Sequence, residues 1–235
     1  MDKIIVHGRD LVEEIMGQWS FAELCFAAMT GGQRPSPSKT RMVEALLTTF
    51  VDHGVTPSSL ATRLTFLGAP EAMQAAIAAG LCGAGNRYLG TMQTAAEMLQ
   101  KALQPPDDQL DVVACAQKLV ADYRKDKRII PGLGHPEHKD GDPRTPKLVA
   151  LAKENQCYGR HCALLLAVGE AASQAAGRYL PINAAGLAGA IVLDMGLPPE
   201  AGRGLAIVSR AAGLVGVVLS EMRQPTAQGI WDQLR

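Results

Sequence analysis

Aromatic side chains are scarce in this chain, with 4 phenylalanines, 4 tyrosines and 2 tryptophans among 235 residues. Pleated sheets favour aromatic and β-branched residues, whereas alanine, leucine and methionine favour helices, and these are prominent in the apolar 47%. The balance argues for close-packed helices rather than sheets. An excess of either charge is also missing: 23 basic residues meet 23 acidic ones with no basic run, which excludes the electrostatic footprint of a nucleic-acid-binding surface. Cys25, Cys82, Cys115, Cys157 and Cys162 form no C-x-x-C pair and no even set, so buried thiols in a reducing compartment fit better than a disulfide scaffold. His7, His138 and His161 lack metal-ligand spacing and read as structural or surface groups, and no metal is expected. The N-terminal Met1-Asp2-Lys3 starts with charge and never reaches a signal peptide's apolar region. The longest apolar stretch, 205–219, is broken by Ser209 and Arg210 and is too short for a bilayer. A cytoplasmic protein with no membrane or nucleic-acid partner is the expectation.

Helical periodicity is present almost throughout. Asp10 with Glu13, and Ser20 with Glu23, have capping-box spacing and start short helices. A turn-rich link over 31–38 leads to a helix from Lys39, whose Val43, Leu46, Leu47 and Phe50 recur on one face and carry the chain to His53. Pro70 and Glu71 open an alanine-rich helix that stops near Gly80. Further helices are predicted over 91–103, 111–123, 146–154, 160–178, 184–195 and 199–221, with a single small edge strand at 3–6. A chain this long can bury a substantial core as one domain or two unequal lobes. Small residues Ala184, Ala185, Gly186, Ala188, Gly189 and Ala190 would let helices approach closely, either within the chain or between copies.

One segment carries chemistry: Pro131-Gly132-Leu133-Gly134-His135-Pro136-Glu137-His138-Lys139, closed by Asp142-Pro143-Arg144. Glycines at 132 and 134 permit positive φ and close backbone approach, so the loop's amides could face a ligand, while the prolines stiffen it. An imidazole there titrates near neutral pH and moves a proton either way. The plain alternative is a Pro/Gly turn that happens to hold a histidine. Arg210 lies among Ile207, Val208, Leu214 and Val215, and a cation in such surroundings needs a partner or a ligand. Arg63, Arg87 and Lys139 read equally as solvated charges.

Over its 14 residues, 131–144 resembles the active-site loop of the citrate synthase superfamily, P-G-x-G-H followed by a basic residue and D-P-R. Val51-Asp52-His53-Gly54 looks like the family's A-D-H-G, and Ser209-Arg210-Ala211-Ala212-Gly213 looks like its S-R-x-x-G. Blocks in the family's order cover nearly the whole chain, and the length fits the short citryl-CoA lyase-like branch, related to the lyase module of ATP-citrate lyase. The resemblance implies an all-α fold with a larger helical domain (1–90 and 180–235) and a smaller lobe (91–179) holding the CoA and the catalytic loop. It implies that His135 handles the proton on the reacting oxygen, accepting it in the cleavage direction, and that His53, Arg87, Arg144 and Arg210 bind substrate. Pro131, Gly132, Leu133 and Gly134 would meet CoA, their amides at the adenine or pantetheine end, with Lys139 at a phosphate. No tightly bound cofactor is expected; a CoA thioester and a di- or tricarboxylate are the ligands, and a homodimer or higher homo-oligomer is the assembly.

Two stations depart from the family pattern. Tyr88, in Gly85-Asn86-Arg87-Tyr88-Leu89-Gly90, falls where the family has an enolate-stabilising histidine, and a phenol can still donate a hydrogen bond. Ala185, after Asn183, falls where the family has the aspartate that removes the acetyl proton. Asp194 lies nine residues further along the same predicted helix, over two turns away. The expected activity is cleavage of citryl-CoA or an analogue to an α-keto acid and an acyl-CoA. The alternative is a catalytically impaired homologue that binds CoA and carboxylates in a regulatory role.

Overall fold

A computed structural model describes residues 3–86, 89–104, 111–135 and 137–233. The chain runs β1 (Ile5–Val6), β2 (Arg9–Asp10), a π-helical turn (Leu11–Ile15), α1 (Phe21–Met29), α2 (Pro37–Phe50), α3 (Pro57–Gly68), α4 (Met73–Cys82), α5 (Thr91–Ala102), α6 (Val112–Lys125), α7 (Arg144–Glu154), α8 (Arg160–Ala176), α9 (Ala184–Asp194), α10 (Pro199–Arg223) and α11 (Ala227–Asp232). The fold is all-α, as expected.

Local chemistry explains the element ends. Ser20 and Glu23 close a reciprocal capping box on α1. Ser36 caps α2 with Pro37 at its first position, so this helix starts two residues before Lys39, and it ends at Phe50 without reaching His53. The predicted box at Asp10 is shifted: Asp10 Oδ1 accepts the amides of Val12 and Glu13, but Glu14, not Glu13, reaches back to the Asp10 amide at 2.7 Å. The wider π turn puts the closing carboxylate one residue later. The edge strand has a partner the sequence did not announce: Ile5 pairs with Asp10 and Val6 with Arg9, antiparallel. His7 (φ 48°) and Gly8 (φ 77°) form the two-residue turn between them.

Other elements also differ from expectation. α4 begins at Met73, because Pro70 and Glu71 form a turn ahead of it. α8 stops at Ala176, where Gly177 turns left-handed (φ 64°). α3 had no periodic signal at all, since its buried face is Ser58, Ser59, Thr62 and Phe66. Hydroxyls are satisfied by carbonyls there: Ser58 Oγ donates to the Gly80 carbonyl, 2.6 Å, which seats α3 on α4, and Thr62 Oγ1 donates within α3 to the Ser58 carbonyl, 3.1 Å.

α9 is the axis of the molecule. From Gly186 to Leu193 every residue is buried, and α5, α7, α8 and α10 pack around it. Its small residues thus serve packing within the chain. The main apolar cluster draws on residues from Ala22 to Ala206, and Phe66, Ala76 and Val218 form a second, smaller one. α10, 25 residues long and apolar enough by length and composition to cross a membrane, exceeds the stretch expected from sequence. Its inner face nevertheless packs on α2, α3, α4, α5 and α9 and buries Arg210 and Glu221, as a core helix does.

Asp194, the last residue of α9, caps α8 from outside that helix. Its carboxylate accepts the amides of Gly159 (2.7 Å), His161 (3.0 Å) and Cys162 (3.0 Å) and approaches His161 Nδ1 at 2.8 Å. Burial pushes this carboxyl up, but the His161 and Cys162 side chains and amides outweigh it and hold it below the usual range. Asp194→Ala leaves these helix-start donors without an acceptor and is expected to cost about 2–4 kcal/mol in urea unfolding at neutral pH. Because the folded carboxyl is depressed, the wild-type advantage is complete above the unfolded value near ~4 and shrinks as pH falls below it.

Candidate active site

The 131–144 loop is laced to the segment that enters α9. The Gly134 amide donates to the Pro181 carbonyl (2.7 Å), and the Asn183 amide to the Gly132 carbonyl (2.9 Å). Asn183 Nδ2 donates to the Gly134 carbonyl (2.8 Å), and Thr145 Oγ1 to the Ile182 carbonyl (2.9 Å). Leu133 and Ile182 form an antiparallel bridge. Gly132 (φ 88°) sits so close to α9 that a Cβ on it would stand 2.8 Å from Gly186 Cα. The glycine therefore admits the chain's own helix rather than a ligand. The amides of Leu133 and Gly134, expected to face CoA, are likewise directed at the carbonyls of Ile130 and Pro181.

Asp142 fastens the other end. Wholly enclosed, it accepts the Arg144 amide (3.1 Å), Arg144 Nε (2.9 Å) and Nη2 (2.9 Å), and the amide of Ala184 at the start of α9 (2.8 Å). Burial pushes its carboxyl up, but the Arg144 guanidinium and the two amides bring it down to about 2. Arg144 is thereby fixed as a planar fork, with Nη2 3.5 Å from His135 Nε2.

His135 stands between two other imidazoles. His53 stacks on one side, centroids 5.8 Å apart and planes 12° apart, and His138 lies at 4.4 Å, tilted 37°. The amides of Glu137 (3.2 Å) and His138 (3.1 Å) point at His135 Nδ1. With Nδ1 an acceptor, the neutral ring carries its proton on Nε2, so the 3.5 Å approach of the Arg144 guanidinium to that nitrogen is proximity and not a hydrogen bond. Burial lowers the His135 pKa, and the charges of His138, Arg144 and His53 lower it further against the opposing pull of Asp142. At Nε2 the neutral ring is therefore a hydrogen-bond donor, whereas the family resemblance implied a proton acceptor.

Arg210 is 7% exposed, and its Nε has no hydrogen-bond partner. Burial lowers its pKa, Asp52 opposes this, and the nearby Arg144 charge adds to it. His53 enters on a turn after α2, where Asp52 Oδ1 accepts the amides of His53 (2.7 Å) and Gly54 (3.1 Å). Arg63 is not a free surface charge; it pairs with buried Glu221 and donates to Thr226 Oγ1 at 3.1 Å, tying α3 to the start of α11. Lys139 is exposed. Tyr88 and Arg87 lie outside the described residues; beside them, Arg203 Nη2 donates to Asn86 Oδ1. Ala185 is the second residue of α9 and packs on the core, and Asp194, at the opposite end of that helix, is committed to α8. A cavity of about 610 Å³ between α5 and α6, bordered by Met98, Lys101, Cys115, Lys118, Tyr123 and Arg128, includes none of the histidine row. Sequence reasoning missed His138 and gave Asp142 no separate role; the Asp-Pro-Arg spacing, with a carboxylate two residues before the amide it accepts, was the available signal for the latter.

The family model described as "Citrate synthase, C-terminal domain" matches residues 5–230. Citryl-CoA lyase from Hydrogenobacter thermophilus is 30% identical over 94% of this chain and 83% of that one, with a TM-score of 0.85. ATP citrate lyase from Methanothrix soehngenii, solved with citrate and coenzyme A, is 20% identical over 92% of this chain and 36% of that one, TM-score 0.76. Citrate synthase from Thermoplasma acidophilum, in a ternary complex with carboxymethyl coenzyme A and oxaloacetate, is 19% identical over 88% and 54%, TM-score 0.72. The last two show the fold alone. No curated protein matches the sequence.

Asp142→Asn tests the clasp. A carboxyl moved from 3.8 to about 2 contributes about 2 kcal/mol above pH ~4, lost as pH falls through about 2. Urea unfolding should show the variant weaker by about this amount at pH 7, with a flatter stability profile between pH ~4 and ~2.

Proposed function

This chain belongs to the citrate synthase family, and on that premise we propose that it cleaves citryl-CoA, or a close 3-hydroxy-3-carboxyacyl-CoA, to an α-keto acid such as oxaloacetate and an acyl-CoA such as acetyl-CoA. The observation that carries the reading is Arg210: a buried guanidinium with an unsatisfied Nε, electrostatically coupled to Arg144, which in turn stands beside His135. A buried guanidinium with an unmatched donor is costly, and a bound carboxylate repays it through planar, paired hydrogen bonds. His53, Arg144 and Arg210 bind the carboxylates, with Arg87 as a further contact. The Pro131–Gly134 stretch and Lys139 receive CoA within the 91–179 lobe, through groups other than the amides already engaged.

In the cleavage direction the hydroxyl carbon becomes a ketone, the bonding pair passes to the thioester as its enolate, and the enolate carbon gains a proton. One proton thus leaves oxygen and one arrives at carbon, with no net change. The hydroxyl proton passes to water as the carbon–carbon bond breaks, while His135 Nε2–H donates to the same oxygen and stabilises the negative charge that develops on it before the ketone forms. Ala185 offers no acid, so water or the Tyr88 phenol returns the proton to carbon. General acid–base groups contribute about 10²- to 10⁴-fold, and a site without this one is slow in the condensation direction above all. That same Ala185 favours the second reading, a homologue that binds CoA and carboxylates without turnover. The assembly is a homodimer or higher homo-oligomer, a reading supported by the exposed Ile207, Val215, Leu219, Met222 and Trp231. Five unpaired cysteines support a reducing, cytoplasmic setting.

Release of oxaloacetate from citryl-CoA by the purified protein, reduced at least ~100-fold by His135→Ala, is the expected result. An inactive wild type that still binds CoA and citrate by calorimetry replaces this reading with the second. Arg210→Met should move two measurements in opposite directions: urea stability without ligand rises by about 1 kcal/mol, and citrate no longer raises the melting temperature.

A further inference from the structure

We propose that His138 is a positioning residue for His135: it closes a row of three imidazoles, His53, His135 and His138, that keeps the middle ring uncharged and locked with Nε2–H outward. The inference rests on the reading of His135 as the group that meets the reacting oxygen.

Two independent contacts place His138 in this role. Its amide, together with that of Glu137, fills His135 Nδ1, at 3.1 and 3.2 Å. The same turn lays its ring against His135 at 4.4 Å, and His53 stacks with His135 at 5.8 Å. The middle ring thus has two imidazole neighbours, a residue type that can itself hold a proton. The remaining charged groups make a second proton on His135 unwelcome. Arg144 Nη2 lies 3.5 Å from its Nε2, and Arg210 lies within electrostatic reach of Arg144 and of Asp52. Asp142, the carboxylate in reach, already accepts Arg144 and the Ala184 amide. Glu137 and Lys139, on the loop itself, are exposed and solvated. The downward shift of His135, caused first by burial and next by the His138 charge, follows from this arrangement. An imidazolium at this point would still donate, but it would also lose the Nδ1 contacts and leave the ring free to turn.

The test is a ¹⁵N NMR titration of the full chain, whose 5 histidines are few enough to assign by single substitutions. In wild type, His135 should show the Nε2–H tautomer and titrate below its ordinary value. His138→Phe keeps the ring cover and removes only the charge; the His135 midpoint should rise by about half a pH unit. His138→Ala removes both and should raise it further, with a mixture of tautomers. Where turnover is measurable, the acid limb of kcat/KM should move upward with the midpoint. A midpoint unchanged within about 0.1 unit in both variants, or a wild-type ring protonated on Nδ1, overturns the proposal. Titration needs no turnover, so loss of the lyase reading would appear in the assay while His138 is still judged by NMR.

Discussion

The carboxylate of Asp142 is the constraint on which the site depends. It joins three things that a 14-residue loop would otherwise leave independent: the Arg144 guanidinium, the backbone at the start of α7, and the amide that opens α9. With both oxygens filled by charge-assisted and backbone donors, ionisation becomes strongly favoured in the fold even though the group is enclosed. Arg144 consequently arrives already oriented, and its position beside His135 is set by the clasp rather than by the substrate. Pre-orientation of this kind reduces the entropy that binding must overcome.

The clasp works because the loop and α9 can touch. Contact at Gly132 and Gly186 is backbone against backbone, and the bridge at Leu133 and Ile182 with the Asn183 side chain spreads the join over several bonds. α9 itself is enclosed by four other helices, so a loop fastened to it inherits the rigidity of the core. A side chain on this connecting segment, His135 included, is thereby held as firmly as one on a helix.

Much of this was legible in the residues. Helical periodicity located most helices, because their buried faces are apolar at the expected spacing. α3 escaped since its buried face is made of hydroxyls that bond to carbonyls, a pattern with no hydrophobic period. The glycines at 132 and 134 were visible as special, but their partner was not: close approach to another helix and close approach to a ligand leave the same mark in a sequence. His138 looked idle because its importance lies in where the turn returns it, across the ring three positions earlier. Absence was easier to read than presence. Ala185 supplies no carboxylate in any conformation, and the structure commits Asp194 to the start of α8, where it cannot replace one.

The electrostatic character of the site follows from these placements. Arg144 is paired with Asp142, Arg210 is buried with one donor unmatched, and His135, with His53 and His138 beside it, has its pKa lowered by burial and by its neighbours' charges. Positive charge is therefore concentrated on Arg144 and Arg210, the groups proposed to grip carboxylates, while the ring proposed to meet the reacting oxygen stays neutral and donates. These two requirements oppose each other, since anion-binding cations raise the cost of any further positive charge nearby. Stacking His135 between imidazoles, with its inner nitrogen capped by the turn's own amides, satisfies both: the repulsion that would be a defect in a charged histidine is what keeps this one in the donor form.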